Sequence, residues 1–147
     1  MSVQTSDEVC HALAHNNLLR VFSNRDAVSR WAAIQETYHP NVVFYEPDDM
    51  VTGHKAVDAK AAALPDQREG WEFVPVGNVK RNHDMVYLAW GFGPPKISGQ
   101  GQKHGGRSGG SSVDVDVKAT GADVLMVREG KVEKFWVVLD GVSDVKV

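Results

Sequence analysis

A chain of 147 residues with 42% apolar and 24% charged side chains has the length of one domain and an ordinary globular composition, which excludes the disordered and fibrous classes. Its 16 Lys and Arg against 19 Asp and Glu give a net charge of −3, and without a basic cluster to neutralise phosphates no nucleic-acid partner is expected. The single cysteine, Cys10, excludes an internal disulfide and a cysteine-based zinc framework. No run of about 18 apolar residues and no basic-then-apolar start is present, so neither a membrane span nor a leader is expected, and the cytoplasm is the expected location.

From Ser6 to about Asn24, residues Val9, Leu13, Leu18, Leu19 and Phe22 fall at helical spacing behind a Ser6 or Asp7 cap. Asn24-Arg25-Asp26 breaks and re-caps the chain, and Val28, Trp31, Ala32, Ile34 and Tyr38 form the stripe of a second helix ended by His39-Pro40. A short strand follows at Val42 to Glu46, closed by the turn Pro47-Asp48-Asp49. Thr52 to Leu64, with its alanine run, reads as a third helix stopped by Pro65. Alternation then predicts strands at about Trp71–Arg81, Val86–Phe92, Val117–Arg128 and Val132–Asp140. The glycine-rich segment at about 94–112 reads as a loop between adjacent strands. Residues 1–147 are therefore expected to form one α+β domain, with helices early and an antiparallel sheet late. Incomplete helical cover leaves a concave side where a pocket for an apolar small molecule is expected.

Glu46 shares a strand face with Val42 and Phe44. Either it is a solvated strand end, or it is a carboxylate among apolar groups whose raised pKa suits it to proton transfer. Asp123 shares a face with Leu125 and Val127; it either bonds a neighbouring backbone group or a lysine such as Lys118 or Lys134, or is half-buried and protonated. His11, His15, Leu18 and Phe22 follow one another at spacings of four, three and four, so His11 and His15 are either on the inward stripe of the first helix, where a histidine can act as base or donor, or at its boundary or hydrogen-bonded in the core. Among the strand aromatics, Trp90 and Trp136 are candidate pocket walls. No His/Asp/Glu spacing matches a metal-ligand set, and Gly99-Gln100-Gly101 lacks the rest of a nucleotide-binding motif, so neither metal nor cofactor is expected.

The runs YHPNVVFYEPDDMVTGHKAV and TGADVLMVREGKVEKFWVVLD resemble the SnoaL-like branch of the nuclear-transport-factor-2-like superfamily, to which ketosteroid isomerase also belongs. The likeness runs from about Leu19 to Asp140, apart from the glycine-rich loop. It implies a cone-shaped (cystatin-like) α+β fold in which three N-terminal helices pack on a curved antiparallel sheet around an apolar pocket, frequently as a homodimer. Members include cyclases, isomerases, dehydratases, epoxide hydrolases and non-catalytic binding modules.

By that resemblance the isomerase's general base falls on Glu46, and its protonated aspartic acid, a hydrogen-bond donor to a developing oxyanion, on Asp123. The helix-one tyrosine falls on Leu18, which cannot donate, leaving His15 or Tyr87 to stand in. An acidic position common in cyclases is Val137, and the charged pair of the epoxide hydrolases falls on Trp90 and Phe92. The implied activity is cofactor-free isomerisation, cyclisation or elimination on a polyketide, terpenoid or steroid-like molecule, with Leu18, Phe22, Phe44, Trp90, Phe92 and Trp136 contacting it. The alternative is a binding or assembly module of the same fold.

Overall fold

A computed structural model describes residues 5–67, 70–96 and 114–147; the glycine-rich segment lies outside the described residues from 97 to 113. Helix α1 (Asp7–His15) starts where the Ser6 hydroxyl accepts the Val9 N–H at 3.2 Å. That bond satisfies one of the orphan donors of the first turn. The helix does not stop at His15 but widens into a π-helical stretch, Asn16–Phe22. Helix α2 (Ala27–Thr37) is capped by Asp26, whose carboxylate accepts the Ser29 N–H at 2.9 Å. Helix α3 (His54–Gln67) continues past the expected stop at Pro65.

Six strands form one curved sheet: β1 (Tyr38–Glu46), β2 (Asp49–Thr52), β3 (Glu72–Asn82), β4 (Met85–Gly93), β5 (Ala119–Arg128) and β6 (Lys131–Leu139). Their order is β2-β1-β6-β5-β4-β3. The four late strands form the expected antiparallel meander. The sheet as a whole is mixed, not antiparallel as expected, because β1 lies parallel to β6, with Phe44 opposite Phe135. Parallel neighbours need a long crossover, and here the crossover is everything from β2 to β5. Strand β2 was not expected either: Pro47-Asp48 turn the chain so that Glu46 faces Asp49, and four residues are too few for alternation to be read.

One face of the sheet carries Val86, Leu88, Leu125, Val127, Val132 and Phe135 against Leu13, Val21, Ala33, Ile34, Val57 and Ala61 from the helices. Proline in a strand suits an edge, and Pro75 lies in β3, the last strand of the order. On the other face Tyr45 stacks on Trp136, ring centroids 5.0 Å apart. Among the described residues no helix is long and apolar enough to cross a membrane.

Candidate active site

Strand alternation decides which side chains of β5 reach the covered face. Asp123, Leu125 and Val127 are all buried there, and Asp123 opposes Leu88 of β4 and Val137 of β6. Asp123 is 7% exposed. Its Oδ2 accepts the Asn17 amide at 2.9 Å and its Oδ1 accepts the Trp90 indole N–H at 3.1 Å. The Tyr38 hydroxyl donates to the carbonyl oxygen of the Asn17 amide. That bond orients the amide, since its oxygen is held by Tyr38 and its NH2 must then face Asp123.

Burial pushes the Asp123 carboxyl up to about 7, and the Trp90 and Asn17 hydrogen bonds only partly oppose it. Among the described residues no cation pairs with it. Near neutral pH the group therefore populates both its acid and its base form. Burial, and next the Asp123 charge, push the Tyr38 phenol well above its usual range, so it remains a donor.

The chain reaches Trp90 through Gly121, its cross-strand partner. A Cβ at Gly121 would lie 2.4 Å from the Val138 carbonyl oxygen and 2.6 Å from the Trp90 ring. The indole thus lies over a position where only hydrogen leaves room, within reach of Asp123 two residues along the same face. Gly121→Ala is expected to displace Trp90 and cost about 1–3 kcal/mol, the usual penalty of overpacking. Urea unfolding followed by indole fluorescence would check both effects, and an unchanged spectrum and midpoint would refute them.

Asp123 opens onto a cavity of about 130 Å³. Leu18 and Phe22 reach it from the π-helical stretch, and Phe44, Glu46 and Pro47 from the end of β1 and its turn. The remaining walls are Lys60 and Leu64 of α3, Phe73, Trp90, and Phe135, Val137 and Leu139 of β6. Ring contacts tie these walls together. Phe44 stacks on Phe135 at 4.2 Å, Phe22 meets Phe44 at 5.5 Å, and Phe73 meets Trp90 edge-on at 5.0 Å.

Glu46 lines the same cavity but is not the unpaired carboxylate that the sequence allowed. Lys60 Nζ lies 2.7 Å from Glu46 Oε1 and 2.7 Å from Asp49 Oδ2. The bonds to Asp49 and then Glu46 hold Lys60 above its ordinary range and cationic. Glu46 and Lys60 are each nearly one-third exposed, at 28% and 30% of their side chains.

Of the residues singled out from the sequence, Glu46, Asp123, Leu18, Phe22, Phe44 and Trp90 meet at this cavity. Four others do not line it. His15 bonds the carbonyl oxygen of His11 at 3.1 Å and lies against the His11 ring. The π-helical turn begins directly after it, so Leu18 and Phe22 do not continue the His11–His15 stripe. Tyr87 lies between Val86 and Leu88, both buried on the covered face, and alternation turns it to the other side. Trp136 is turned away in the same manner by its neighbour Phe135. Phe92 is on the covered face but beyond the cavity, packed on Phe73 at 4.3 Å and Trp71 at 5.5 Å. The expectation that His15 or Tyr87 replaces the missing helix-one donor is thus corrected. The polar group next to Leu18 is Asn17, which is held by Tyr38 and donates to Asp123 rather than lining the cavity. Neither was singled out, since an asparagine between apolar helix positions and a tyrosine in an apolar stripe both pass for packing. Lys60 was hidden in the same way, as one polar residue of an alanine-rich helix.

These elements and their order give the chain the fold of the SnoaL-like and nuclear-transport-factor-2-like proteins. A candidate isomerase of the SnoaL-like family from Agrobacterium tumefaciens str. C58 is similar with a TM-score of 0.71 at 20% identity, over 90% of this chain and 98% of that one. A candidate SnoaL-like polyketide cyclase from Jannaschia sp. CCS1 is similar at 0.62 and 16% identity, over 98% and 100%. A candidate ketosteroid isomerase from Kribbella flavida follows at 0.57 and 13%, over 95% and 84%. No family model matches the sequence, and no curated protein matches it. Likeness at these identities establishes the fold; function has to be argued from the site.

Proposed function

We propose that the protein is a cofactor-free enzyme that moves a proton on a small apolar molecule held in the cavity beside Asp123. The observation that carries this reading is the Asp123 carboxyl itself, buried on the cavity wall, with no cation paired to it among the described residues, and brought to about 7 by burial. Such a group is costly to keep and suited to donating a hydrogen bond or a proton near neutral pH. Glu46, paired with Lys60 at 2.7 Å, takes a proton from carbon next to a substrate carbonyl. Protonated Asp123 donates to the oxygen on which negative charge develops, and Trp90 and Asn17 keep the carboxyl in place. When Glu46 becomes neutral, Lys60 retains Asp49 as its partner. Isomerisation, cyclisation and elimination all begin with this step, and the names of the isomerase-like and cyclase-like structural neighbours agree with it.

The test is incorporation of solvent deuterium next to the carbonyl of a panel of cyclic ketones and enones, followed by NMR. Glu46→Gln and Asp123→Asn are each expected to slow exchange by about 10²-fold or more, the ordinary worth of a positioned acid or base. Unchanged exchange in Glu46→Gln would remove the assigned base. The Glu46–Lys60 ion pair favours a second reading, a binding module in which that carboxylate only closes the mouth. In that case ligands bind and no exchange above background is detected.

A further inference from the structure

We infer that the ligand is a single-ring, uncharged molecule carrying one carbonyl group, with its oxygen directed to Asp123; this rests on the cavity being the ligand site. The first argument is volume. The cavity measures about 130 Å³, close to the roughly 150 Å³ of an engineered apolar cavity that holds benzene. A ring of six atoms with a short substituent fills such a space, whereas two or four fused rings exceed it and leave part of their apolar surface outside.

The walls are also poorly placed to give way. Phe44 is stacked on Phe135 at 4.2 Å, and Phe135 is stacked in turn on Tyr38 at 5.3 Å. Phe73 is fixed between Trp90 at 5.0 Å and Phe92 at 4.3 Å. Enlarging the space means breaking ring contacts that are backed by other rings, which close-packed interiors resist.

Charge decides the polar end. Among the described residues, the ionisable groups lining the cavity are Glu46, Lys60 and Asp123. Glu46 and Lys60 pair with one another at 2.7 Å, so of the three Asp123 is the one without a charge partner among the described residues. Both its oxygens already accept a hydrogen bond, from Asn17 and from Trp90. What the neutral carboxyl still offers is its own O–H, and a carbonyl oxygen accepts an O–H without bringing a charge or a second donor into this setting. An anion would meet Asp123 and Glu46 and lose more solvation than it regains.

The prediction separates ligands by size and by charge, with quenching of indole fluorescence as the readout because Trp90 lies on the cavity wall. Cyclohex-2-enone and benzaldehyde are expected to bind at least ten-fold more tightly than androst-4-ene-3,17-dione, benzoate or benzylammonium. Phe73→Ala is expected to narrow the gap for the bicyclic probe 2-tetralone without improving benzoate. Equal or tighter binding of the four-ring enone overturns the size limit, and tighter binding of benzylammonium shows Asp123 to be an anion awaiting a cation. Absence of binding by all the single-ring carbonyls overturns the inference outright. The proton-transfer reading fails separately: single-ring carbonyls that bind without deuterium exchange refute the chemistry and leave the ligand class standing. Exchange confined to larger ketones does the reverse.

Discussion

As the pH rises from about 4 to about 7, the protein is expected to lose roughly 4 kcal/mol of stability that an Asp123→Asn variant does not lose. The Asp123 carboxyl titrates at the ordinary 3.8 in the unfolded chain and at about 7 in the folded one. Below pH 4 both states carry the proton and the contribution is complete. Between the two values the unfolded chain has released its proton while the folded protein still holds it, so unfolding becomes progressively easier. Above about 7 both are ionised and the loss levels off. At about 1.4 kcal/mol per pH unit the interval is worth the figure given, and with the group 7% exposed solvent screening removes little of it. Asparagine has no such titration, so the quantity to compare is the slope of denaturant stability against pH in the two proteins. A difference below about 1 kcal/mol between pH 4 and pH 8 would mean that Asp123 is already ionised when buried. Trp90→Phe, which deletes one of the two hydrogen bonds to the carboxylate, is expected to move the folded-state titration upward.

Phe135→Ala is expected to cost about 3–5 kcal/mol, as for other buried aromatic truncations. The ring is 1% exposed and sits at the centre of the covered face. It stacks on Phe44 and Tyr38 and meets Phe22 edge-on at 6.1 Å. Removing it merges a void with the existing cavity, so the surrounding rings have no compact arrangement to relax into. Against a total of about 5–15 kcal/mol for a typical domain this is a large fraction. The neighbouring Trp136→Ala is the control: Trp136 is half-buried on the opposite face and stacked on Tyr45, and its loss opens no interior space. If the two variants unfold at the same urea concentration, the assignment of the sheet's faces is wrong. Because Phe135 also supports Tyr38, its removal loosens the bond that orients Asn17.

Much of the fold was legible because period and punctuation are local properties. Ser6 and Asp26 cap their helices as residues of their type do, and the alternation in β4 and β5 gave the face of Asp123 correctly. The direction of β1 was not legible, since whether a strand runs with or against its neighbour depends on a chain crossover of some ninety residues, which leaves no trace in either strand. At the site, Glu46 and Asp123 could be found because a carboxylate in an apolar alternating run is anomalous. Asn17 could not, because an asparagine between apolar helix positions passes for a packed residue, and the resemblance pointed to its neighbour Leu18. Lys60 was invisible for another reason: it meets Glu46 only because α3 folds back along β1, fourteen residues away in the chain.

The parallel pairing of β1 with β6 also governs the order in which the molecule can assemble. The hairpins β3–β4 and β5–β6 need only short turns, whereas β1 has no neighbour on one side until the last strand exists, and contacts so distant in sequence are slow to form. The meander is therefore expected to collect first, with the N-terminal third docking onto it in the final step. Since Leu18, Phe22, Phe44 and Glu46 arrive with that third while Trp90, Asp123 and Phe135 wait in the meander, the cavity comes into being only at the end of folding. A ligand added to refolding protein would accelerate nothing before that step and would slow unfolding from it.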